Sequence, residues 1–215
     1  MKLRIPAATA LVSLALAAPA AAQVPGPCAG IATDDPLGDN FTLVDVMQTQ
    51  ANLRQNLDLQ ELYFRRDNKV TSAYVKVRDL QTAVAPDGTS NVWFVVWTDS
   101  AGARKFVAAT LDATQNPGGA LEPLFRFGTL ATQFTYEGET TGKFFTGPNG
   151  VIRIDIPGAL APLNRALGGP YADARVGRGF QGTGVVSGVD RAPNGTAVGT
   201  DFKVADCPPA PSPAA

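Results

Sequence analysis

The chain is predicted to be all-β, an antiparallel β-sandwich of immunoglobulin-like or jelly-roll type with at most one short helix. Three observations predict this fold class. Apolar and polar residues alternate in several short segments, the chain contains 22 glycines and 17 prolines, and stretches with helical periodicity are few. The strand segments also follow one another without βαβ alternation, which argues against a parallel sheet with crossover helices.

The clearest alternation lies in residues 73–78 and 151–156, which predicts two half-buried antiparallel strands. Ile152, Ile154 and Ile156 share one face of the second strand. Residues 92–97 are apolar on both faces, which predicts a central strand. Further strands are predicted near residues 105–111, 125–128, 133–136, 143–146, 172–177 and 201–205, and only residues 158–167 suggest a short helix.

Residues 59–79 predict a β-hairpin with a two-residue turn at Asp67-Asn68, which places Arg66 opposite Lys69. This register puts the apolar residues of the hairpin on one face and the tyrosines on the other. The remaining predicted pairs are Leu62 with Ala73, Phe64 with Thr71, Glu61 with Tyr74, and Tyr63 with Ser72.

The N-terminus has the pattern of an export signal. Lys2 and Arg4 precede an uncharged, Ala- and Leu-rich stretch, and Ala20-Ala21-Ala22 offers a small-x-small cleavage site. We therefore expect a signal peptide over residues 1–22 and a secreted, extracytoplasmic protein; a retained membrane anchor is the alternative. Residues 23–207 are predicted to form one β-sandwich domain, and residues 208–215 a Pro-rich disordered tail.

Cys28 and Cys207 are the two cysteines of the chain, and they bracket almost the whole predicted domain. In an oxidising compartment such a pair is expected to form a disulfide bond. Closing a loop of this length stabilises the fold by about 5 kcal/mol in the chain-entropy model. Two free thiols are the alternative.

Composition excludes several classes of function. Removing the signal peptide takes Lys2 and Arg4 from the 18 basic residues and leaves 16 against 19 acidic ones. With no basic stripe, nucleic acids and anionic membranes are not expected partners. The chain contains no histidine, which excludes Ser-His-Asp and Cys-His catalysis and His-ligated zinc or haem. The glycine pattern of residues 177–182 has no following helix and predicts no nucleotide site.

A cluster of carboxylates near the N-terminus suggests a metal site. Asp34, Asp35 and Asp39 surround a Gly-containing turn, and Asp58 follows at the start of the hairpin. Calcium prefers six to eight oxygen ligands, and such a turn allows several to converge. The alternative is an ordinary solvated turn, because these residue types are also turn formers.

Four aromatic residues are candidates for ligand binding. Trp93 and Trp97 share one face of a predicted strand, and Tyr63 and Tyr74 share the outer face of the hairpin. Exposed aromatic rings in a row can stack on sugar rings. The alternatives are core packing for the tryptophans and cross-strand surface packing for the tyrosines.

The order of several short motifs resembles a known group of secreted bacterial domains. The motifs are Asp35-Pro36-Leu37-Gly38-Asp39, Leu57-Asp58-Leu59, Asp190-Arg191-Ala192-Pro193 and Asp201-Phe202-Lys203-Val204. In this order the chain is similar to the DOMON and family-9-like carbohydrate-binding group. The resemblance implies an immunoglobulin-like sandwich, a calcium ion near the N-terminus and a role as a binding or accessory module. Haem is not carried over, because the chain has no histidine and Met47 is the sole methionine after the signal peptide.

The sequence therefore predicts a non-catalytic exported module that binds an extracellular glycan or a cell-surface protein. A structural cell-envelope protein without a small ligand is the first alternative. A glycosidase is the second, and it requires two carboxylates roughly 5 to 9 Å apart in a cleft.

Overall fold

Fourteen β-strands and no helix form the regular structure of the computed structural model, which describes residues 24–36, 55–82, 90–112, 121–177 and 186–208. In chain order the strands are β1 (Thr33–Asp34), β2 (Leu59–Asp67), β3 (Val70–Val77), β4 (Asp79–Leu80), β5 (Ser90–Thr98), β6 (Arg104–Leu111), β7 (Leu124–Leu130), β8 (Phe134–Glu139), β9 (Gly142–Phe145), β10 (Gly147–Pro148), β11 (Val151–Ile156), β12 (Ala166–Gly177), β13 (Val186–Ala192) and β14 (Phe202–Lys203).

The strands form two large antiparallel sheets. The five-stranded sheet has the order β1-β2-β3-β11-β9, and the seven-stranded sheet has the order β13-β12-β5-β6-β7-β8, with β14 also paired to β12. Strands β4 and β10 make a separate two-stranded pair. The predicted all-β sandwich is confirmed, and so is the central position of residues 92–97, which lie in β5 between β12 and β6.

The main hydrophobic core lies between the two sheets, because alternate residues of each strand point toward the opposite sheet. Ile152, Ile154 and Ile156 are all buried there, as their shared face predicts. The largest fully buried side chains of this core are Trp93, Trp97, Phe64, Leu57, Leu59, Leu62, Leu80, Leu111, Ile152, Ile154 and Leu167.

Strands β2 and β3 form the predicted hairpin, but its turn lies one residue further along the chain. Asn68 and Lys69 occupy the central positions with φ values of 49° and 69°, as a type I′ turn requires. Asp67 remains in the strand, where Arg65 donates hydrogen bonds to its carboxylate. The predicted register was therefore wrong, and Tyr63 lies opposite Tyr74. The assignment of residues to faces was right, because a shift of two positions preserves the alternation.

Residues 158–167 form turns and the start of β12 rather than a helix. The backbone N–H of Leu160 donates to the carbonyl of Pro157 at 2.8 Å, and that of Arg165 donates to Pro162 at 3.1 Å. Proline has no N–H, so Pro162 interrupts the hydrogen-bond series that a helix needs.

Cys28 and Cys207 form the predicted disulfide bond, with their Cα atoms 5.6 Å apart across a separation of 179 residues. The backbone N–H of Cys207 donates to the carbonyl of Arg66 at 2.9 Å, which attaches this crosslink to the end of β2. Disulfide bonds persist in oxidising compartments, so this one points to an extracytoplasmic environment.

Several predictions fall outside the described residues: the signal peptide over residues 1–22, the glycine-rich segment after Gly177, and most of the tail over residues 208–215. The domain boundaries remain predictions. Over the described ranges, the chain contains no helical segment with the length and hydropathy that a bilayer crossing requires.

Candidate functional site

The predicted calcium ligands do not assemble into a metal-binding group where the structure describes them. Asp34 is exposed in β1, whereas Asp58 is fully buried with Arg78 Nη1 at 3.5 Å from its Oδ2. Asp35 follows β1, and Asp39 lies outside the described residues. Among the described residues, no three His, Cys, Asp or Glu side chains are close enough to hold a metal ion. Calcium binding stays a prediction.

Trp93 and Trp97 lie in the core rather than on a ligand-binding surface. Their relative exposures are 0% and 1%, because both point from β5 toward the five-stranded sheet. The Trp93 indole N–H donates to the carbonyl of Asn56 at 2.9 Å, and its ring meets Phe144 edge-on at 5.5 Å. The two tryptophans therefore pack in the core, as the alternative interpretation described, and a sugar ring cannot reach their indole groups.

Tyr63 and Tyr74 pack against each other on the outer face of the five-stranded sheet. Their rings are parallel within 6° and 4.9 Å apart, and both residues are buried. The segment after the predicted cleavage site covers them: Val24 packs on the pair, and the Tyr63 hydroxyl donates to the carbonyl of Pro25 at 2.9 Å. Arg65 donates to the carbonyl of Gly26 in the same segment. The tyrosines are therefore covered, as in the cross-strand packing alternative.

We call this surface the tyrosine face. It comprises the outward residues of β2, β3, β11 and β9, namely Glu61, Tyr63, Arg65, Asp67, Ser72, Tyr74, Lys76, Val151, Arg153, Asp155, Lys143 and Phe145. Three of its four cations are paired with carboxylates on the same face. The pairs are Lys76 with Glu61, Arg65 with Asp67 and Arg153 with Asp155, each at 2.8 Å.

Asp155 is the centre of this charge network. Its carboxylate accepts hydrogen bonds from Ser72 Oγ at 2.7 Å, from Thr141 Oγ1 at 2.6 Å and from two nitrogens of Arg153 at 2.8 Å. Burial raises the pKa of Asp155, but the hydrogen bonds outweigh this effect and hold the pKa below its ordinary value. Burial also raises the pKa of the neighbouring Tyr63 to about 12. The Asp155 carboxylate and its donors Ser72, Thr141 and Arg153 thus satisfy one another's hydrogen bonds.

The outer face of the seven-stranded sheet carries a second aromatic cluster that the sequence analysis did not single out. Phe94 and Phe106 lie at its base and are almost fully buried, and Phe134 and Tyr136 from β8 lie half-buried on top of them. Tyr171 of β12 extends the cluster. The available signal was the second apolar face of residues 92–97, which a single core between the two sheets does not use.

Strand β8 reaches this cluster because the sheet curls toward its outer face. The Phe134 ring stacks on Phe94 at 3.9 Å although β6 and β7 lie between their strands, which would separate them by about 14 Å in a flat sheet. Gly128 of β7 permits the curl at a bulge. A Cβ at this position would lie 1.9 Å from the carbonyl oxygen of Thr135 and 3.0 Å from the Phe106 ring.

Three arginines lie over the rings of this cluster. The guanidinium carbon is 5.5 Å from the ring centre of Tyr136 for Arg126, 4.8 Å from that of Phe134 for Arg175, and 3.7 Å from that of Tyr171 for Arg191. Such distances are typical of cation–π contacts. We call this surface the arginine face and define it by Phe94, Phe106, Phe134, Tyr136, Tyr171, Arg104, Arg126, Arg175 and Arg191.

Only one of these four arginines has a carboxylate partner within the described part of the chain. Arg175 donates to Asp173 through two nitrogens. Arg104 donates to the carbonyl of Ala131 at 2.7 Å, and Arg191 to that of Ala197 at 3.1 Å. Nε of Arg191 is buried and has no hydrogen-bond partner among the described residues. Arg126 lies opposite Glu139 in the β7–β8 register but forms no ion pair with it.

Burial and the arginines act in opposite directions on the two tyrosines of this face. Burial is the largest influence and raises the pKa of both Tyr136 and Tyr171. Arg126 lowers the pKa of Tyr136, and Arg191 and Arg104 lower that of Tyr171. The arginines are thus close enough to influence the rings electrostatically as well as to stack on them.

Comparison of the chain with protein-family models, with curated proteins and with solved structures gives no match. The resemblance to the DOMON and family-9-like group therefore stays a prediction.

Proposed function

We propose that the protein is an exported, non-catalytic binding module and that it binds an extracellular glycan through the arginine face. One observation carries the proposal: three guanidinium groups on this face have no carboxylate partner in the described residues, and two of them rest on aromatic rings. Groups held in this way by the fold are ready to contact a ligand.

The chemistry of this face suits a sugar chain. Phe134 and Tyr136 are half-buried, so each keeps part of its surface accessible for the apolar C–H groups of a sugar ring. The guanidinium groups beside them donate hydrogen bonds, and sugar hydroxyl oxygens accept them. Arginine and tyrosine are also among the residues that contribute most to binding energy at interfaces.

Export is part of the same proposal. The signal-like segment over residues 1–22 directs it, and the Cys28–Cys207 bond supports it because disulfides persist outside the cytoplasm. Calcium binding by the N-terminal aspartates remains a further proposal, although Asp34, Asp35 and Asp58 do not form a group that could hold the ion in the described residues. An unchanged melting temperature after chelation with EDTA would reject it.

The alternative function is a structural role in the cell envelope. The tyrosine face favours it, since its charges are largely paired and its rings are covered by the chain's own N-terminal segment. If the protein has this structural role, the arginine face would only cover the outer side of the curled seven-stranded sheet.

A glycan array tests the proposal on the chain from residue 23 to 215, with and without EDTA. We expect selective binding that the Arg126→Ala substitution weakens at least tenfold. Lys143→Ala on the tyrosine face is the matched control, because it also removes a cation from above a ring, at 5.0 Å from Phe145. Selective binding that neither substitution changes would place the ligand elsewhere, and a blank array would favour the structural alternative.

A further inference from the structure

We infer that the ligand of the arginine face is an acidic glycan, a polysaccharide whose sugar units carry carboxylates. This inference rests on the proposed function and adds the charge of the ligand to it. The face supplies four arginines, and Asp173 is the only carboxylate in an ion pair with one of them among the described residues. It bonds Arg175 and lies opposite Arg191 in the β12–β13 ladder. This local excess of positive charge contrasts with a chain that carries more acidic than basic residues.

On the tyrosine face, which lies on the other sheet, most cations form ion pairs with carboxylates of the same face. There Arg65 and Arg153 each lie two residues from an aspartate on the same strand, and both pairs are bidentate. Arg126 has Glu139 directly across the ladder and still makes no ion pair with any residue that the structure describes. The positive charge of Arg126 is therefore left for a partner outside the described residues.

The geometry of the arginines favours a carboxylate. A guanidinium group that lies over a ring uses its face for the aromatic contact and keeps its N–H edge for hydrogen bonds. That edge matches the two oxygens of a carboxylate as a parallel fork. Arg126 and Arg191 both lie over rings in this way.

The position of the rings favours a sugar acid over a small carboxylate. Phe134 and Tyr136 are neighbours on the same face of β8, and each carries one arginine, Arg175 over Phe134 and Arg126 over Tyr136. A uronic acid unit presents an apolar ring face and a carboxylate at the same time, so it can contact a ring and an adjacent guanidinium group. A polymer repeats this pair and can contact more than one arginine.

The test compares polygalacturonate with the same polymer after reduction of its carboxylates to primary alcohols. Binding to residues 23–215 is measured by isothermal titration calorimetry in EDTA, at low and at high salt. We expect the acidic polymer to bind at least tenfold more tightly than the reduced one at low salt, with a difference that shrinks at high salt because charge interactions are screened.

Two substitutions locate the contact. We expect Arg126→Ala to lose at least tenfold in affinity for polygalacturonate, and Arg126→Lys to recover only part of it, because an ammonium group cannot form the bidentate fork. Lys143→Ala should leave the affinity unchanged. Thermal unfolding of each variant checks that the fold is retained, and Arg126→Lys preserves the charge in case Arg126→Ala does not fold.

Four outcomes would overturn the inference. Equal binding of both polymers would remove the requirement for carboxylates and leave glycan binding in place. Tighter binding of polyphosphate than of polygalacturonate would assign the face to phosphate groups. An equal loss in Lys143→Ala would mean diffuse attraction to positive charge. Absence of binding to both polymers, together with a blank glycan array, would reject the proposed function as well.

Discussion

The two outer faces of the sandwich use the same kinds of residue in different ways. On the tyrosine face, three of four cations are bonded to carboxylates, and the Tyr63–Tyr74 stack lies beneath the N-terminal segment. On the arginine face, one of four arginines has a carboxylate partner among the described residues, and three lie over aromatic rings. Similar residue types therefore do not produce the same surface, because the two faces differ in the partners of their charged groups. That difference is what our proposal of ligand binding at the arginine face depends on.

Removing the disulfide bond is the largest test of this comparison, because the bond fixes the segment that covers the tyrosine face. We expect the Cys28→Ser/Cys207→Ser variant to lose about 5 kcal/mol of unfolding free energy, the chain-entropy value for a loop of this length. Urea denaturation measures the loss, and reduced wild-type protein is the control. A loss below about 1 kcal/mol would contradict the chain-entropy value for this loop.

The second largest effect on stability is expected when an ion-paired carboxylate is removed, Asp155 on the tyrosine face or Asp173 beside Arg175 on the arginine face. We expect Asp155→Ala to cost about 3 kcal/mol, because Ser72, Thr141 and Arg153 all lose an acceptor in a largely buried site. Asp173→Ala should cost about 1 kcal/mol although Asp173 is as buried as Asp155, because Arg175 is its only hydrogen-bond donor among the described residues and the partly exposed guanidinium group can bind water instead. Chemical denaturation of both variants gives the difference, and equal losses would contradict the contrast between the faces.

Lowering the pH should reduce the unfolding free energy by part of the loss that we expect for Asp155→Ala. The hydrogen bond from Arg65 lowers the pKa of Asp67, and the pKa of Asp155 is lowered as well despite its burial. Carboxylates with a lowered folded-state pKa contribute stability that is present above their unfolded value of about 3.9 and is lost as the pH falls through the folded value. Urea unfolding at pH 6 and pH 3 measures this loss, and Asp155→Asn should reduce the pH dependence; an unchanged dependence would contradict the role of Asp155.

The smallest effect concerns a single hydroxyl group. Tyr63→Phe should cost about 1 kcal/mol, because it removes the hydrogen bond to the carbonyl of Pro25. Tyr74→Phe is the matched control and should change stability little, since the Tyr74 hydroxyl donates no hydrogen bond within the described residues. Differential scanning calorimetry can resolve the two, and equal changes would mean that this bond does not hold the N-terminal segment.

Much of the fold could be predicted from the sequence, because period-two alternation is a local property. It identified β3 and β11, and it assigned Tyr63 and Tyr74 to the outer face. Strand β5 was identified from its continuous apolar run instead. The turn register was missed because Asp67 and Asn68 are both good turn residues, and the Arg65–Asp67 contact that keeps Asp67 in the strand is not a turn signal.

The candidate site could be predicted only in part, because its geometry depends on contacts between distant segments. The segment around Pro25 covers Tyr63 from 38 residues away, and no local pattern indicates this contact. Phe134 reaches Phe94 only because the sheet curls at Gly128. The tryptophans follow the apolar stripe that the core-packing alternative described, and the structure places both in the core.

The crosslink near the two ends of the domain also determines how the protein responds to mechanical load. Tension applied through the segments before Cys28 and after Cys207 would pass through a covalent bond between them. The strand ladders on either side of the core would carry little of that tension. We therefore expect the oxidised domain to resist stretching from its ends in a force-spectroscopy experiment and to extend only after the bond is reduced.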